Sequence, residues 1–157
     1  TATNKDTSEL KAEVPRVSIN FGGDASYNTY YEYDTVSNSY KRFYSTGDAH
    51  EVYNCPEGLD QPSPENNCNG LVQLSPNVVI AMIVQEKRAS DNYHEDITTI
   101  GSGDAYIFQN GTVIKGTWEK PSREDQISFK NDKGEAISLA VGQTWVAAVP
   151  NYGSVEY

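Results

Sequence analysis

Residues 106–115 read Tyr106-Ile107-Phe108-Gln109-Asn110-Gly111-Thr112-Val113-Ile114-Lys115, and this stretch is the strongest indication of the fold class. An Asn-Gly pair tolerates the positive φ that a two-residue type I′ turn demands, so the pattern predicts a β-hairpin. The predicted register places Phe108 opposite Val113 on one face and Ile107 opposite Ile114 on the other.

Two apolar runs flank this hairpin in the sequence. Val78–Val84 is apolar at every position, which predicts a central strand that a helix or a second layer covers on each face. Thr144–Val149 has the same character and predicts another central strand, buried on both faces. Neither run approaches the roughly 18 apolar residues of a membrane-spanning helix.

Further hairpins are predicted on both sides of these runs. Tyr27–Tyr33 pairs with Tyr40–Tyr44 across polar turn residues, and Gln126–Lys130 pairs with Glu135–Leu139 around a turn that ends at Gly134. The fold class is therefore α+β but mainly β, with an antiparallel or mixed sheet built from several hairpins and little helix. We expect a flexible linker over residues 1–15, the β-rich domain over 16–150 and a tail over 151–157.

The charge of the chain narrows its partners. It has 22 acidic against 12 basic residues and a formal net charge of −10, which disfavours direct binding to nucleic acids or to anionic lipids. No glycine-rich phosphate loop and no set of ligands at metal-binding spacing is present, so we expect no cofactor and no metal. The polar start of the sequence suggests a fragment or a processed protein whose targeting segment has been removed.

Cys55 and Cys68 are the two cysteines, and they bracket a loop rich in proline and asparagine. A disulfide that closes this loop is the favoured interpretation, and it would indicate an oxidising compartment. Two free thiols are the alternative.

The order of motifs in the second half of the chain resembles one family. The motifs are Asn77-Val78-Val79-Ile80, Ile100-Gly101-Ser102-Gly103, residues 108–120 with the Asn-Gly turn and Gly116-Thr117-Trp118, and Gly142-Gln143-Thr144-Trp145. This succession resembles the C-terminal domain of the YerB-like bacterial lipoproteins, over roughly residues 16–150. The resemblance implies a β-rich architecture, an extracytoplasmic place in the bacterial cell envelope, and an N-terminal partner domain whose lipid anchor would supply the only membrane contact. It brings no catalytic residues, because none is established for the family.

The candidate interaction surface consists of aromatic and hairpin residues. Aromatic side chains exposed on a sheet face could bind a sugar ring or a peptide, although ordinary strand packing is the alternative role for the same residues. The candidates are Tyr27, Tyr30, Tyr31, Tyr33, Tyr40, Asn110, Gly111 and Trp118.

An acid/base site is the competing interpretation. His94 with Glu95 and Asp96, joined by His50 if the fold brings them together, could supply a general base, although such a cluster is usually a solvated loop.

Three functions follow from these patterns. The leading hypothesis is a non-enzymatic binding or interaction domain of an envelope protein, with an envelope protein or a glycan as partner and no catalytic residue. The alternatives are an envelope hydrolase that uses His94 and its neighbouring carboxylates, and an architectural domain that packs on the N-terminal domain.

Overall fold

The computed structural model describes residues 13–55 and 70–157. In these residues the chain forms twelve strands and one short 3₁₀ turn, Ala25–Tyr27. The strands are β1 (Arg16–Asn20), β2 (Thr29–Asp34), β3 (Ser39–Tyr44), β4 (Glu51–Tyr53), β5 (Leu71–Gln73), β6 (Val78–Arg88), β7 (Glu95–Thr98), β8 (Gly101–Gln109), β9 (Thr112–Lys120), β10 (Ser128–Asn131), β11 (Thr144–Pro150) and β12 (Ser154–Glu156). The prediction of a mainly-β fold with little helix is confirmed. No helix in the described ranges is long and apolar enough to cross a membrane.

The strands form two main sheets and a small hairpin. The first sheet is antiparallel in the order β12-β1-β2-β3, and the second has the order β10-β9-β8-β6-β11, with β7 also paired to β6. β11 runs parallel to β6 while the other pairs are antiparallel, so the predicted mixed sheet is confirmed. β4 and β5 pair only with each other among the strands described.

The hairpin that indicates the fold class forms as predicted. Asn110 and Gly111 have φ values of 54° and 69°, as a type I′ turn requires. Phe108 pairs with Val113 and Ile107 with Ile114, which confirms the register.

β6 forms the centre of the domain because its side chains enter two separate cores. Val79 and Ala81 face the first sheet, where they meet Val17, Ile19 and Tyr31. Val78, Ile80 and Met82 face the opposite side, where Trp118, Phe129 and partly buried residues of the segment 127–140 cover them. The prediction that both faces of this run are covered is confirmed, and the covering layers are the first sheet and a β-strand with its following segment.

β11 does not match its prediction. It is the last strand of its sheet, and Thr144 and Val146 are exposed on one face while Ala147 and Val149 are buried on the other. The prediction of a central strand buried on both faces was wrong. A run of valine and alanine is compatible with an edge strand as well as with a central one, because small apolar side chains are tolerated on a partly exposed face.

Both ends of the domain extend further than predicted. Val14, assigned to the linker, is buried in the core, and its N–H donates to the Gly111 carbonyl at 3.0 Å. Residues 154–156, assigned to the tail, form β12 and pair with β1. Residues 1–12 lie outside the described ranges, so the rest of the linker stays a prediction.

Candidate functional site

An open groove of about 560 Å³ lies at one end of the domain, and we call it the aromatic groove. Three aromatic residues line it: Phe21, Tyr27 and Tyr152. Its other lining residues are Gly23, Asp24, Glu86, Arg88, Glu95, Ile97, Ala148 and Pro150. The loop after β1, the arm formed by β6 and β7, and the end of β11 therefore meet in one concave surface.

Local turns place the two tyrosines of the groove. Asp24 caps the 3₁₀ turn that ends at Tyr27, because its carboxylate accepts a hydrogen bond from the Ser26 N–H at 2.9 Å. The Tyr152 ring packs on Gly22, where a Cβ would lie only 2.4 Å from a ring carbon and where φ is +77°. Glycine at position 22 therefore lets the ring lie against the backbone of the loop.

The tyrosine rings remain largely open to solvent in spite of these supports. Tyr27 is 73% exposed and Tyr152 is 57% exposed, and Ile97 beside them is 47% exposed. The Tyr152 hydroxyl donates a hydrogen bond to the Glu86 carboxylate, which raises the pKa of Tyr152 and keeps it neutral. Large apolar surface is thus gathered in one groove without being buried, which is a typical property of a binding surface.

The charges of the groove are mostly negative. Among the described lining residues, three acids, Asp24, Glu86 and Glu95, stand against one base, Arg88. The Arg88 Nε lies 2.6 Å from a Glu95 carboxylate oxygen. Backbone and side-chain hydrogen bonds from Ser26 hold the pKa of Asp24 below its usual value. At neutral pH the groove therefore has an excess of negative charge.

A second depression adjoins the groove along β11. It has a volume of about 320 Å³, and we call it the apolar hollow. Its apolar lining comes from Ile80, Ile127, Phe129, Ile137, Leu139 and Val146. Thr144 and Val146 of β11 line the hollow, whereas Ala148 and Pro150 of the same strand line the aromatic groove. Alternate side chains of a strand share a face, so one face of β11 connects the two depressions.

A buried arginine forms a polar cluster in the interior. Arg42 is 9% exposed, its Nε donates to the Tyr31 hydroxyl at 3.3 Å, and its guanidinium lies 4.7 Å from the Trp145 ring centroid. The guanidinium also contacts Nδ1 of His50, and burial together with the Arg42 charge lowers the pKa of that histidine. A neutral His50 accepts this hydrogen bond, so the cluster is a structural contact between the first sheet and β11.

Most of the predicted interaction residues lie inside the domain. Tyr31, Tyr40 and Trp118 are at most 2% exposed, and Gly111 is buried as well. The Trp118 indole N–H donates to the Ile83 carbonyl at 2.8 Å, at a point of β6 between its pairings with β7 and β8. Buried in this way, the four residues offer almost no surface to a partner. Tyr31, Tyr40 and Trp118 have the alternative role, strand packing, whereas Gly111 belongs to the turn of the β8–β9 hairpin.

The remaining predicted residues differ in position. Asn110 is half-buried and accepts a hydrogen bond from the Asn38 amide, and the half-buried Tyr33 donates to Asn38. Tyr30 lies on the outer face of the first sheet, where its ring stacks on Phe43 with centroids 4.8 Å apart. Tyr27 is the one of the eight that is highly exposed, and it was placed on a strand, whereas it ends the 3₁₀ turn.

The predicted acid/base residues do not form one site. His94 is exposed, and its Nδ1 lies 2.6 Å from a carboxylate oxygen of Asp91, which lowers the pKa of Asp91 to about 2. His50 instead contacts Arg42 and Trp145. Asp96 is exposed on β7, and Glu95 pairs with Arg88. Over residues 13–55 and 70–157, no group of three acidic, histidine or cysteine side chains could hold a metal ion.

The cysteine prediction remains open. Cys68 lies outside the described residues, so the bond between Cys55 and Cys68 stays a prediction.

Sequence reasoning missed most of the aromatic groove. Phe21, Glu86, Ile97 and Tyr152 come from four separate segments, and none of them belongs to a recognisable motif. Tyr152 lies in the predicted tail. Its position after Pro150 in a turn was the signal that could have placed it beside the end of β11.

The comparisons with known proteins agree on the fold. No curated protein matches the chain. The structure is similar to the crystal structure of YerB protein from Bacillus subtilis, with a TM-score of 0.62 and 18% sequence identity over 90% of this chain. The match covers 43% of the YerB chain, so this chain spans less than half the length of that protein. Residues 17–146 match the family described as the C-terminal domain of the proteins of unknown function DUF3048. The chain therefore belongs to the DUF3048 C-terminal domain family, and it is a YerB-like C-terminal domain.

Proposed function

We propose that this domain is a non-enzymatic binding domain of a bacterial cell-envelope protein, and that it holds its partner in the aromatic groove. The observation that carries the proposal is the pair of tyrosine rings, Tyr27 and Tyr152, which are both exposed in the lining of one concave surface. Tyrosine is enriched among the residues that dominate binding energy, because it offers a large contact area with few rotatable bonds.

The surroundings of the rings support recognition. The groove combines apolar floor residues with acceptor carboxylates, which is the usual composition of a site that both packs on a ligand and orients it. Strands β6, β7 and β11 and the turn that Asp24 caps carry much of the lining, which limits the ordering needed on binding.

The length of the YerB chain suggests which partner to test first. Because the chain spans less than half of YerB, a further domain is the first partner to consider. A glycan or another envelope protein is the second. If the only occupant of the groove is the N-terminal domain of the parent protein, the architectural hypothesis replaces the binding one.

Variants of the two tyrosines test the proposal. The purified domain is titrated with defined probes: short extended peptides of basic, neutral and acidic composition, and soluble cell-wall glycan fragments. At least one probe should bind, and Tyr27→Ala or Tyr152→Ala should weaken it by about tenfold or more, which is the usual effect of truncating a central aromatic contact. Tyr93→Ala is the matched control, since Tyr93 is 82% exposed and lies outside the groove.

Two results would contradict the proposal. One is that no probe binds the folded domain. The other is that a probe binds with an affinity that the Tyr27 and Tyr152 variants leave unchanged.

A further inference from the structure

We infer that the occupant of this surface is an extended, basic polypeptide segment that adds a strand to the outer edge of β11 and reaches into the aromatic groove. This inference rests on the proposed binding function and names the chemistry of its partner.

The outer edge of β11 has backbone groups that no strand of the described ranges pairs with. β11 is the last strand of the second sheet, and within residues 13–55 and 70–157 it pairs with β6 alone. The Val78 N–H donates to the Gln143 carbonyl at 3.1 Å, which fixes which residues of β11 face β6. Backbone groups alternate along a strand, so those of Thr144, Val146 and Ala148 point away from β6.

These outward groups form a template for pairing. Thr144 and Val146 are exposed residues, and the outward row ends at Pro150, whose carbonyl accepts a hydrogen bond from the Gly153 N–H at 2.8 Å. Val146 is 46% exposed although it is a large aliphatic residue. An edge strand with unpaired N–H and C=O groups and an apolar side chain is where an extended chain binds by strand addition.

The two depressions would receive the side chains of such a segment. The apolar hollow lies along Thr144 and Val146, and the aromatic groove lies along Ala148 and Pro150. A strand laid beside β11 rises about 3.3 Å per residue, so side chains at alternate positions would reach first one depression and then the other.

Charge complementarity indicates the sign of the segment. The groove holds Asp24, Glu86 and Glu95 against Arg88, and none of the described residues that line the hollow is charged. The domain as a whole has a net charge of −10. A segment that is aliphatic over the hollow and carries lysine or arginine over the groove matches both regions, and the long-range field would also speed its encounter with the domain.

A neutral glycan matches this surface less well. Sugar rings could stack on Tyr27 and Tyr152, but they carry no backbone amides to pair with the outward groups of Thr144 and Val146. Binding of a glycan is therefore an outcome of the test that would overturn the inference.

The probe is a synthetic peptide of about ten residues, which is within the usual length of a strand. Valine and threonine alternate along it, and it ends in two lysines. Two further versions carry backbone N-methyl groups, one at the odd and one at the even positions. Strand addition uses only one set of amides, so one methylated version should bind at least about tenfold more weakly and the other should bind like the parent peptide. A version with glutamates in place of the lysines should also bind more weakly.

A protein variant tests the same edge from the other side. Val146→Pro removes an N–H that points away from β6 and leaves the bonds to β6 intact, as proline on edge strands does. Val146→Pro should lower the affinity for the lysine peptide by at least about tenfold. Val146→Thr keeps both the N–H and the β-branched shape, so it should leave this affinity unchanged. Circular dichroism checks that each variant is folded, and if Val146→Pro is not, the methylated peptides decide.

The outcomes separate the two proposals. If both methylated peptides bind like the parent peptide, or if a glycan fragment binds and Val146→Pro has no effect on it, strand addition is overturned. In those cases a loss of binding in Tyr27→Ala and Tyr152→Ala would leave the binding function in place. If no probe depends on the two tyrosines, the proposed function itself fails.

Discussion

The Tyr40 hydroxyl accepts a hydrogen bond from the Gly111 N–H at 3.1 Å, and both residues are buried between the two sheets. The contact joins the first sheet to the tip of the β8–β9 hairpin, 71 positions further along the chain. Burial raises the pKa of Tyr40 well above its ordinary value, so the hydroxyl stays neutral. The Asn110-Gly111 turn, which indicates the fold class, therefore also joins the two sheets.

Removing this hydroxyl should destabilise the domain. Tyr40→Phe keeps the ring but leaves the buried Gly111 N–H without its acceptor, which costs about 1–3 kcal/mol of the free energy of unfolding. Urea denaturation measures the change. Tyr93→Phe, at an exposed ring, should remain within about 0.5 kcal/mol of the original protein. Equal stability of the two variants would show that the inter-sheet bond contributes nothing.

A close approach at Gly103 gives a second test. A Cβ at this position would lie 2.6 Å from both the Ile83 carbonyl oxygen and the Trp118 indole nitrogen. Gly103→Ala should therefore disturb the hydrogen bond between the Trp118 indole and the Ile83 carbonyl. The free energy of unfolding should fall by about 1–3 kcal/mol, as it does when a core is overpacked. Gly23→Ala is the control, since a Cβ there meets nothing within 4 Å. A melting temperature of Gly103→Ala equal to that of the control would contradict the packing described.

Local patterns predicted two elements correctly, the β8–β9 hairpin and β6. The register of the β8–β9 hairpin follows from an Asn-Gly turn and alternating apolar residues, and the structure confirms it pair by pair. The covered position of β6 follows from its apolar run, because a strand that is apolar at successive positions has no polar face to turn toward solvent. Both results depend on neighbours in sequence, where turn chemistry and periodicity determine the outcome.

The same local patterns could not predict the candidate site. Alternation assigns Tyr30 and Tyr31 to opposite faces of β2, but it does not say which face meets the second sheet. The edge position of β11 depends on which strands pair across the fold, and this is not encoded within the strand. The aromatic groove joins segments that are far apart in sequence, so only the three-dimensional arrangement reveals it.

Stability should depend on pH through His50. Its folded-state pKa lies below the ordinary value of 6.5, because of burial and then the Arg42 charge. The unfolded chain therefore binds a proton before the folded one does, and the free energy of unfolding should fall as the pH decreases through this window. Above pH 6.5 His50 is neutral in both states, and its contribution to the free energy of unfolding is fully present. Urea denaturation at about pH 7.5 and 5.5 measures the fall, which His50→Gln should reduce. An unchanged slope in this variant would assign the effect to another group.

The cysteine loop provides a chemical prediction. We expect Cys55 and Cys68 to be bonded, and closure of this loop would add about 3 kcal/mol to the free energy of unfolding. Thiol titration of the protein, unfolded without reductant, should find no reactive group. Two titratable thiols would contradict the bond and would remove one support for an envelope location.

Mapping of ligand contacts by NMR tests the central claim most directly, because it locates the binding surface residue by residue. The lysine-containing peptide is titrated into the isotopically labelled domain, and shifts of backbone and side-chain resonances are followed. The account predicts that the largest shifts fall on Tyr27 and Tyr152 in the aromatic groove and on Val146 and Ala148 of β11. Shifts centred on His94 and Asp91, or no saturable shift of any groove residue with any of the peptide or glycan probes, would contradict it.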